Sequence, residues 1–357
     1  MSKIINSIKT MFVGRGNKDI YHDQILHYPN SYLMYEGSIK GENYYGTGKL
    51  YDEEENGKLV YEGEFKDGKK HGKGTAYFGN NEVYIGEFQF GHPSGEGKYT
   101  WGEGSLYAHY LGSFADGEKA GKGTLTFADG TVHQGTFIED KLQGIGVATY
   151  TNGSIYEGDF LDGETVGRGK ISYANGDIYE GDVEHNAVPS GKGTMIYVDG
   201  SIYKGDFEHG HATGKGLKIF SNGHKYIGSF KDGLMHGEGC YEDGEQNRFE
   251  GIFDNNYMLS SSHGIVLYPG QGKYEGNLLE GIPHGLGVFI FEDGATYKGD
   301  FFQGKMTGHG TKIFANGHKY IGSFKNGKME GEGVYEDNNR AVYKGVFAED
   351  FMIKRYS

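Results

Sequence analysis

Aromatic and small residues alternate with polar residues along most of this chain, in short runs that recur. In one such run, Tyr156, Gly158 and Phe160 hold alternate places, and the acidic Glu157 and Asp159 stand between them. Successive side chains of an extended strand point to opposite faces, so this alternation predicts a β-strand with one apolar and one polar face. Strands buried on one side only are typical of antiparallel sheets.

The run is part of a repeat of about 23 residues. Counting its first aromatic residue as position 1, the repeat has glycine at position 3, usually Phe at 5, glycine at 12 and 14, and Asn-Gly or Asp-Gly at 20 and 21. A fixed period of this length indicates a repeat architecture. Residues 35–357 therefore form one predicted continuous array whose last repeat is incomplete, and residues 1–34 are a separate N-terminal segment. The repeats begin at Tyr35, Tyr61, Tyr84, Tyr110, His133, Tyr156, Tyr179, Tyr203, Tyr226, Phe249, Tyr274, Tyr297, Tyr320 and Tyr343.

Each repeat predicts two strands and two connections. Dipeptides such as Asp129-Gly130 and Asn222-Gly223 predict tight two-residue turns between repeats, since both central residues of such turns take positive φ. The stretch Asp67 to His71 predicts a longer loop within a repeat. Extra residues in the repeat that begins at Phe249 predict a bulged or elongated loop at Asn255 to Ser262.

The glycines and the aromatic rings have a shared packing reason. A glycine-rich strand is intrinsically weak, but its bare backbone lets a large ring lie flat against it. Burying part of such a ring is worth about 1.5 to 3 kcal/mol, which exceeds a glycine cost of about 1 kcal/mol. We therefore expect an aromatic face with a mainly structural role. It comprises Tyr61, Phe65, Tyr84, Phe88, Tyr110, Phe114, Tyr156, Phe160, Tyr203, Phe207, Tyr226, Phe230, Tyr297, Phe301, Tyr320 and Phe324.

The N-terminal segment lacks the repeat and predicts a short amphipathic helix. Its apolar residues recur at helical spacing, and Lys3 and Lys9 fall elsewhere. Two interpretations stay open: a cap over the first repeat, or a weak anchor to a membrane surface. Tyr28 to Ser31 predicts a turn into the array. The apolar residues are Ile4, Ile5, Ile8, Met11 and Phe12.

The acidic balance of the chain limits the classes of partner that it is expected to bind. The chain has 35 basic and 49 acidic residues, a net charge of −14. This balance predicts no nucleic-acid partner and disfavours anionic lipid, because both rely on clustered Lys and Arg. No apolar run is long enough for a transmembrane helix, and the start of the chain does not look like a secretory signal. These features predict an intracellular location, which is cytoplasmic, cytoskeletal or membrane-associated, or a place in an assembled particle.

The sequence offers little catalytic chemistry. The single cysteine, Cys240, excludes an intrachain disulfide, and its spacing from His236 suggests a ligand pair, but two residues do not make a metal site. Gly167 and Gly169 match part of a dinucleotide-binding fingerprint but lack its strand-to-helix context. We predict no enzyme activity, no cofactor and no metal site.

The run from Tyr61 to Gly74 resembles the MORN-repeat family (membrane occupation and recognition nexus), whose unit reads Tyr-x-Gly-x-Phe/Trp-x-x-Gly-x-x-x-Gly-x-Gly. The resemblance covers about residues 35–350. It implies a row of β-hairpins in one long twisted sheet with an aromatic-lined groove. The predicted fold class is thus all-β: an elongated, twisted antiparallel meander of β-hairpin repeats, similar to a single-sheet solenoid, with a short helical or irregular N-terminal cap.

Function follows less directly from this resemblance. Family members look like scaffolds in cytoskeletal, ciliary and membrane-junction settings; some are proposed to touch phospholipid, and some pair through their C-terminal repeats. The favoured function is a non-enzymatic elongated scaffold for protein–protein interaction. Lipid or membrane-surface binding and glycan binding on exposed aromatic rings are the alternatives.

The last repeat is the predicted interaction site. It begins at Tyr343 and is incomplete, which predicts an edge strand able to pair with another protein or with a second copy of this chain. The predicted interaction residues are Tyr343, Phe347, Phe351, Met352 and Ile353.

Overall fold

The alternating pattern folds into β-structure throughout the part of the chain that the structure describes. In the computed structural model these are residues 20–27, 32–245 and 247–356. They form 29 strands of one antiparallel sheet, with two short 3-10 turns. Neighbouring strands along the chain pair antiparallel within each of its two units, as β16 (Ile202–Glu208) and β17 (His211–Ile219) do. The predicted all-β antiparallel meander is confirmed.

Backbone contacts divide the chain into two units, residues 1–174 with 184–187, and residues 175–183 with 188–357. The 3-10 turns, Gly79–Asn81 and His185–Ala187, belong to unit 1. The strands of unit 1 are β1 (Ile20–His27), β2 (Leu33–Lys40), β3 (Asn43–Asp52), β4 (Lys58–Lys66), β5 (Lys69–Tyr77), β6 (Val83–Gln89), β7 (His92–Thr100), β8 (Tyr107–Ala115), β9 (Glu118–Phe127), β10 (Val132–Ile138), β11 (Lys141–Thr149), β12 (Ile155–Leu161) and β13 (Glu164–Ser172). Those of unit 2 are β14 (Ile178–Glu184), β15 (Val188–Ile196), β16, β17, β18 (Lys225–Lys231), β19 (Leu234–Glu242), β20 (Arg248–Asp254), β21 (Tyr257–Tyr268), β22 (Gly272–Leu279), β23 (Ile282–Phe291), β24 (Thr296–Phe302), β25 (Lys305–Ile313), β26 (Lys319–Lys325), β27 (Lys328–Glu336), β28 (Val342–Ala348) and β29 (Phe351–Arg355). Glu184, the last residue of β14, is assigned to unit 1.

The tight turn lies inside the repeat. Lys66 pairs directly with Lys69, so only Asp67 and Gly68 form the connection. Their φ angles are 51° and 78°, as a two-residue hairpin turn with two left-handed residues requires. The prediction of a longer loop at Asp67 to His71 was therefore wrong.

The longer connection lies between repeats. The N–H of Phe220 donates to the carbonyl of His224 at 2.9 Å, which leaves three residues in the loop. Only Gly223 is left-handed, with φ of 85°, while Asn222 Oδ1 accepts the N–H of His224 at 3.1 Å. This is a type I turn followed by a left-handed glycine. The predicted two-residue turn at Asn222-Gly223 was wrong, because an Asn-Gly pair suits both turn types and the strand register selects between them.

The connection at Asp129-Gly130 follows the same rule. The N–H of Phe127 donates to the carbonyl of Thr131 at 2.8 Å, and only Gly130 is left-handed, with φ of 96°. Asp129 Oδ1 accepts the N–H of Thr131 at 2.8 Å. The predicted two-residue turn was wrong here too.

A β-bulge recurs in the second strand of the repeat. After the pair Gly205 and Gly216, the register shifts so that Gly214 and Lys215 are extra residues. Gly214 has φ of 55°, which a residue without a side chain adopts at little cost. The carboxylate of Asp206 accepts the N–H of Lys215 at 3.1 Å. The bulge explains the glycine at position 12 of the repeat and the role of Asp206, which holds position 4 in this repeat.

The core is built from rings laid over glycine. Tyr203 is 1% exposed, and its hydroxyl donates to the carbonyl of Asp206 at 3.0 Å. Its ring meets that of Phe230, from the next repeat, edge-to-face at 4.8 Å. The aromatic residue of one repeat is thus held between its own glycines and the phenylalanine of the following repeat. All sixteen residues of the predicted aromatic face are buried.

One repeat builds this cover differently. Its first residue is His133, whose ring packs against Phe127 at a centroid distance of 4.7 Å. The glycine at position 3, Gly135, is covered by Leu142 from the second strand, and Leu142 is 2% exposed. The glycine therefore requires an apolar cover but not a particular residue to supply it.

Two segments depart from the regular repeat: the N-terminal segment and residues 255–262. Part of the N-terminal segment is strand β1, which pairs with β2 and was not predicted. The predicted helix at Ile4 to Phe12 and the turn at Tyr28 to Ser31 lie outside the described residues. At Asn255 to Ser262 the predicted bulge is present, because the extra residues are taken up as register shifts in β21, whereas the connection itself keeps a two-residue turn and is not elongated.

Candidate functional site

Tyr343 departs from the packing of the other first-position tyrosines. Tyr320, one repeat earlier, is fully buried, and the ring of Phe347 covers it at 4.8 Å. Tyr343 is only half-buried, and its hydroxyl donates to Asp337 Oδ2 at 3.2 Å instead of to a backbone carbonyl. The guanidinium of Arg355 lies 4.9 Å from the centre of its ring.

Strand β29 departs from the repeat at the same place. Where most second strands have glycine at positions 12 and 14, β29 and the residue after it have Lys354 and Tyr356. The register places Arg355 opposite Gly345, where other repeats pair two glycines, so the ring of Tyr343 has no bare glycine on β29 to lie against. In the described part of the chain, β29 pairs with β28 alone.

An open pocket of about 650 Å³ lies beside Tyr343. Its lining comes from strands β25, β27, β28 and β29, from the turn between β28 and β29, and from the loops that precede β26 and β28. It is lined by Lys312, Phe314, His318, Met329, Tyr335, Asp337, Tyr343, Phe347, Asp350, Phe351 and Met352.

Position 18 of the repeat beside the pocket is Asp337 instead of an aromatic residue. The corresponding residue of the preceding repeat is Phe314, whose ring lies 6.0 Å from that of Tyr335. Asp337 Oδ1 instead accepts the N–H groups of Asn339 and Ala341 at 2.9 and 3.0 Å. The bond from Ala341 is the largest cause that lowers the pKa of Asp337, so this carboxylate is ionised at neutral pH.

The other polar side chains of the pocket contact neighbouring residues of its lining. His318 Nδ1 lies 2.6 Å from the hydroxyl of Tyr335. Asp350 Oδ1 accepts the N–H of Met329 at 2.8 Å. Lys312 Nζ lies 5.0 Å from the centre of the Phe314 ring. The pocket therefore combines aromatic walls with two carboxylates and one ammonium group, a composition suited to an apolar side chain next to a cation.

The structure brings four of the five predicted interaction residues to this pocket. Tyr343, Phe347, Phe351 and Met352 line it. Phe347 is 3% exposed and forms part of the core, whereas Phe351 is 74% exposed. Ile353 lies outside the pocket on β29 and is 66% exposed.

Sequence reasoning missed the pocket residues from earlier repeats. These are Lys312, Phe314, His318, Met329, Tyr335, Asp337 and Asp350. One signal was available: position 18 is aromatic in most repeats, and Asp337 breaks that rule.

The residues that suggested a metal ligand pair, His236 and Cys240, bond to different partners and form no common site. His236 Nδ1 lies 3.1 Å from Asp254 Oδ1, whereas Cys240 Sγ accepts from Arg248 Nε at 3.1 Å. Burial raises the pKa of the Cys240 thiol. Within residues 20–27, 32–245 and 247–356, no three His, Cys, Asp or Glu side chains are grouped to hold a metal ion.

The glycine pair of the dinucleotide-like motif has structural roles. Gly167 has φ of 65° at the bulge of its repeat. Gly169 lies beneath the ring of Tyr156. Among the residues that the structure describes, no helix has the length and apolar character to cross a membrane.

Solved structures resemble this chain at low identity. The wild-type TCP10 domain of Danio rerio CPAP in complex with a STIL peptide matches at 8% identity with a TM-score of 0.31, covering 62% of this chain and 92% of that one. The SAS-4 TCP domain of Drosophila melanogaster, in complex with a proline-rich motif of Ana2, matches at 12% identity with a TM-score of 0.29, covering 43% and 83%. No curated protein matches the sequence.

The family model of the MORN repeat matches eleven segments. They are residues 61–83, 84–106, 110–132, 133–155, 156–178, 179–202, 203–225, 226–248, 274–296, 297–319 and 320–341. These segments make up more than half of the chain, and most of them begin at a tyrosine whose ring covers glycine. The protein belongs to the MORN-repeat family.

Proposed function

We propose that this repeat array is a non-enzymatic scaffold for protein–protein interaction, and that a partner chain binds in the pocket beside Tyr343 and along β29. The observation that carries the proposal is the half-buried ring of Tyr343. The corresponding ring of Tyr320 is buried under Phe347. A side chain from a partner would complete the same packing on Tyr343.

The size and composition of the pocket support a protein partner. Its volume of about 650 Å³ leaves room for apolar side chains of a partner. Exposed Phe351 and Ile353 offer further apolar area beside it. Aromatic residues in such positions contribute most of the binding energy at many interfaces. A partner strand could also pair with the backbone of β29.

The two alternative functions have less support. A glycan would stack on exposed rings, but the first-position tyrosines of the array, such as Tyr61 and Tyr226, are 0% exposed. An anionic membrane surface is disfavoured by the net charge of −14. Flotation with neutral and acidic lipid vesicles and binding to a glycan array test these alternatives directly, and binding in either assay would favour the corresponding function.

Point substitutions test the interaction site without removing the strand. We expect Phe351→Asp to reduce the molecular mass measured by light scattering, or to abolish cross-linking of a partner to β29. Tyr257→Asp is the matched control, because Tyr257 is 75% exposed and lies outside the pocket. If deletion of residues 343–357 leaves the molecular mass and partner capture unchanged, the proposed site is wrong.

A further inference from the structure

We propose that the partner in this pocket is the segment of residues 1–19 of a second copy, so that the chains assemble head to tail. This inference rests on the proposed function, since it names the occupant of the same site. A contact between two different surfaces does not close on itself in general, so further copies can add to each end.

The charges of the two surfaces are complementary. Residues 1–19 contain four basic residues, Lys3, Lys9, Arg15 and Lys18, and one acidic residue, whereas the whole chain has 35 basic against 49 acidic residues. The pocket lining has two carboxylates, Asp337 and Asp350, against one ammonium group, Lys312. Electrostatic complementarity of this kind sets partner choice and orientation.

The apolar surfaces are complementary as well. Between Ile4 and Phe12, five of nine residues are large and apolar. An apolar cluster of this density suits an interaction segment. The pocket offers the ring of Tyr343 and the thioethers of Met329 and Met352, which adapt to side chains of different shape. Phe12 or Ile8 on the Tyr343 ring would reproduce the cover that Phe347 gives to Tyr320.

The basic side chains also have a place in this packing. Cations already lie on the rings of the site: Arg355 is 4.9 Å from the centre of Tyr343, and Lys312 is 5.0 Å from that of Phe314. A cation over an aromatic ring is worth about 0.5 to 1 kcal/mol at exposed sites. Because these two rings already carry a cation, Lys9 and the other basic residues of the segment would pair with the two carboxylates instead.

A complementation experiment separates head-to-tail assembly from other forms of self-association. One full-length variant, Ile8→Asp, loses the segment but keeps the pocket; the other, Phe351→Asp, loses the pocket but keeps the segment. We expect sedimentation velocity to show that the wild type forms concentration-dependent oligomers and each variant alone is monomeric. An equimolar mixture of the two forms a 1:1 dimer that does not grow.

Two other outcomes of the sedimentation experiment would overturn head-to-tail assembly. If Ile8→Asp alone still associates, the copies pair without residues 1–19, which overturns the inference; loss of that association in the double variant with Phe351→Asp would leave the proposed function standing. A wild-type chain that stays monomeric overturns the inference, even if the peptide described next binds. Ser7→Asn, which changes no charge in the segment, and Tyr257→Asp are the controls and should associate as the wild type does.

A synthetic peptide of residues 1–19 provides a direct measurement. Its fluorescence anisotropy should rise on binding to the full-length Ile8→Asp chain, whose pocket is free. We expect about tenfold weaker binding to the Ile8→Asp, Phe351→Asp double variant, and weaker binding at high salt, as charge pairing requires. Equal binding to both chains would show that the peptide does not use the pocket. Circular dichroism confirms that both chains are folded.

Discussion

The ring of Tyr203 occupies the space that a side chain on Gly216 would need. A Cβ built on Gly216 would lie 2.5 Å from Cε2 of that ring. The hydroxyl of Tyr203 is also fixed, since it donates to the carbonyls of Asp206 and Thr213 at 3.0 Å each. The ring therefore cannot move aside without losing these hydrogen bonds, and position 14 of the repeat accepts only glycine.

Gly216→Ala should destabilise the array by about 1 to 3 kcal/mol, the usual cost of overpacking a closed site. The matched control is Gly79→Ala, because a Cβ at Gly79 meets nothing within 4 Å and its backbone is not left-handed. Urea unfolding followed by circular dichroism measures both variants. Equal free energies of unfolding for the two would contradict the packing role of Gly216.

The two turn types of the repeat should respond oppositely to glycine. Asp232 has φ of 50°, so Asp232→Gly relieves a left-handed residue and should be neutral or stabilising. Asn222 is not left-handed, and its side chain accepts the N–H of His224, so Asn222→Gly should cost about 0.5 to 1.5 kcal/mol. Thermal unfolding of the two variants compares them directly. A loss of stability in Asp232→Gly as large as that in Asn222→Gly would contradict the assignment.

The carboxylate of Asp206 should stabilise the bulge through its backbone hydrogen bond more than through its ion pair. Asp206→Ala removes the acceptor of the Lys215 N–H, at an expected cost of about 0.5 to 1.5 kcal/mol. Lys192→Met removes only the ion pair with Asp206, which is worth little on an exposed face. Hydrogen exchange of the Lys215 amide should accelerate in the first variant and not in the second.

The same carboxylate gives a weak acid dependence. Its hydrogen bond with Lys192 is the first cause that lowers the pKa of Asp206. A carboxyl group with a lowered folded pKa contributes stability above its unfolded pKa, near 3.8, and loses it as the pH falls through the folded value. Below pH 4 the stability difference between wild type and Asp206→Ala should therefore shrink. A constant difference from pH 7 to pH 2 would contradict this linkage.

The buried tyrosines should make the array sensitive to alkali. Burial raises the pKa of Tyr226 and of Tyr320 to about 12, from 10.0. The unfolded chain therefore ionises first, so stability is full below pH 10 and falls as the pH rises to 12. Tyrosinate absorbance and loss of the β-sheet circular dichroism signal should rise together in this range. Ionisation of all tyrosines while the sheet remains intact would contradict the burial of these rings.

Replacing Asp337 by phenylalanine should close the pocket. Phe314 holds the same position in the preceding repeat, so Asp337→Phe restores the usual ring and removes one carboxylate. We expect binding of the partner to weaken by about tenfold or more, since both the volume and the charge change. Asp243→Phe is the matched control, because Asp243 also accepts two turn N–H groups and lies outside the pocket. Equal binding by both variants would show that the pocket is not the site.

The sequence predicted the parts of the fold that depend on neighbours along the chain. The alternation at Tyr156 to Phe160 predicted a strand with one buried face, and the 23-residue period predicted hairpins in an antiparallel meander. Both are properties of one strand or one repeat, because side-chain direction alternates along any extended backbone. The departure of the last repeat was visible for the same reason.

The tertiary structure decided what depends on pairing between distant residues. Register placed the tight turn at Asp67-Gly68 and the longer one at Asn222-Gly223, although both dipeptides suit either turn. It also created the bulge at Gly214, where residues of two strands must match in number. Asp337 and Phe351 line one pocket only because neighbouring repeats pair side by side, so the departure of each from the repeat did not show that they lie together. Local periodicity thus determined the strands, whereas cross-strand register determined the turns, the bulges and the site.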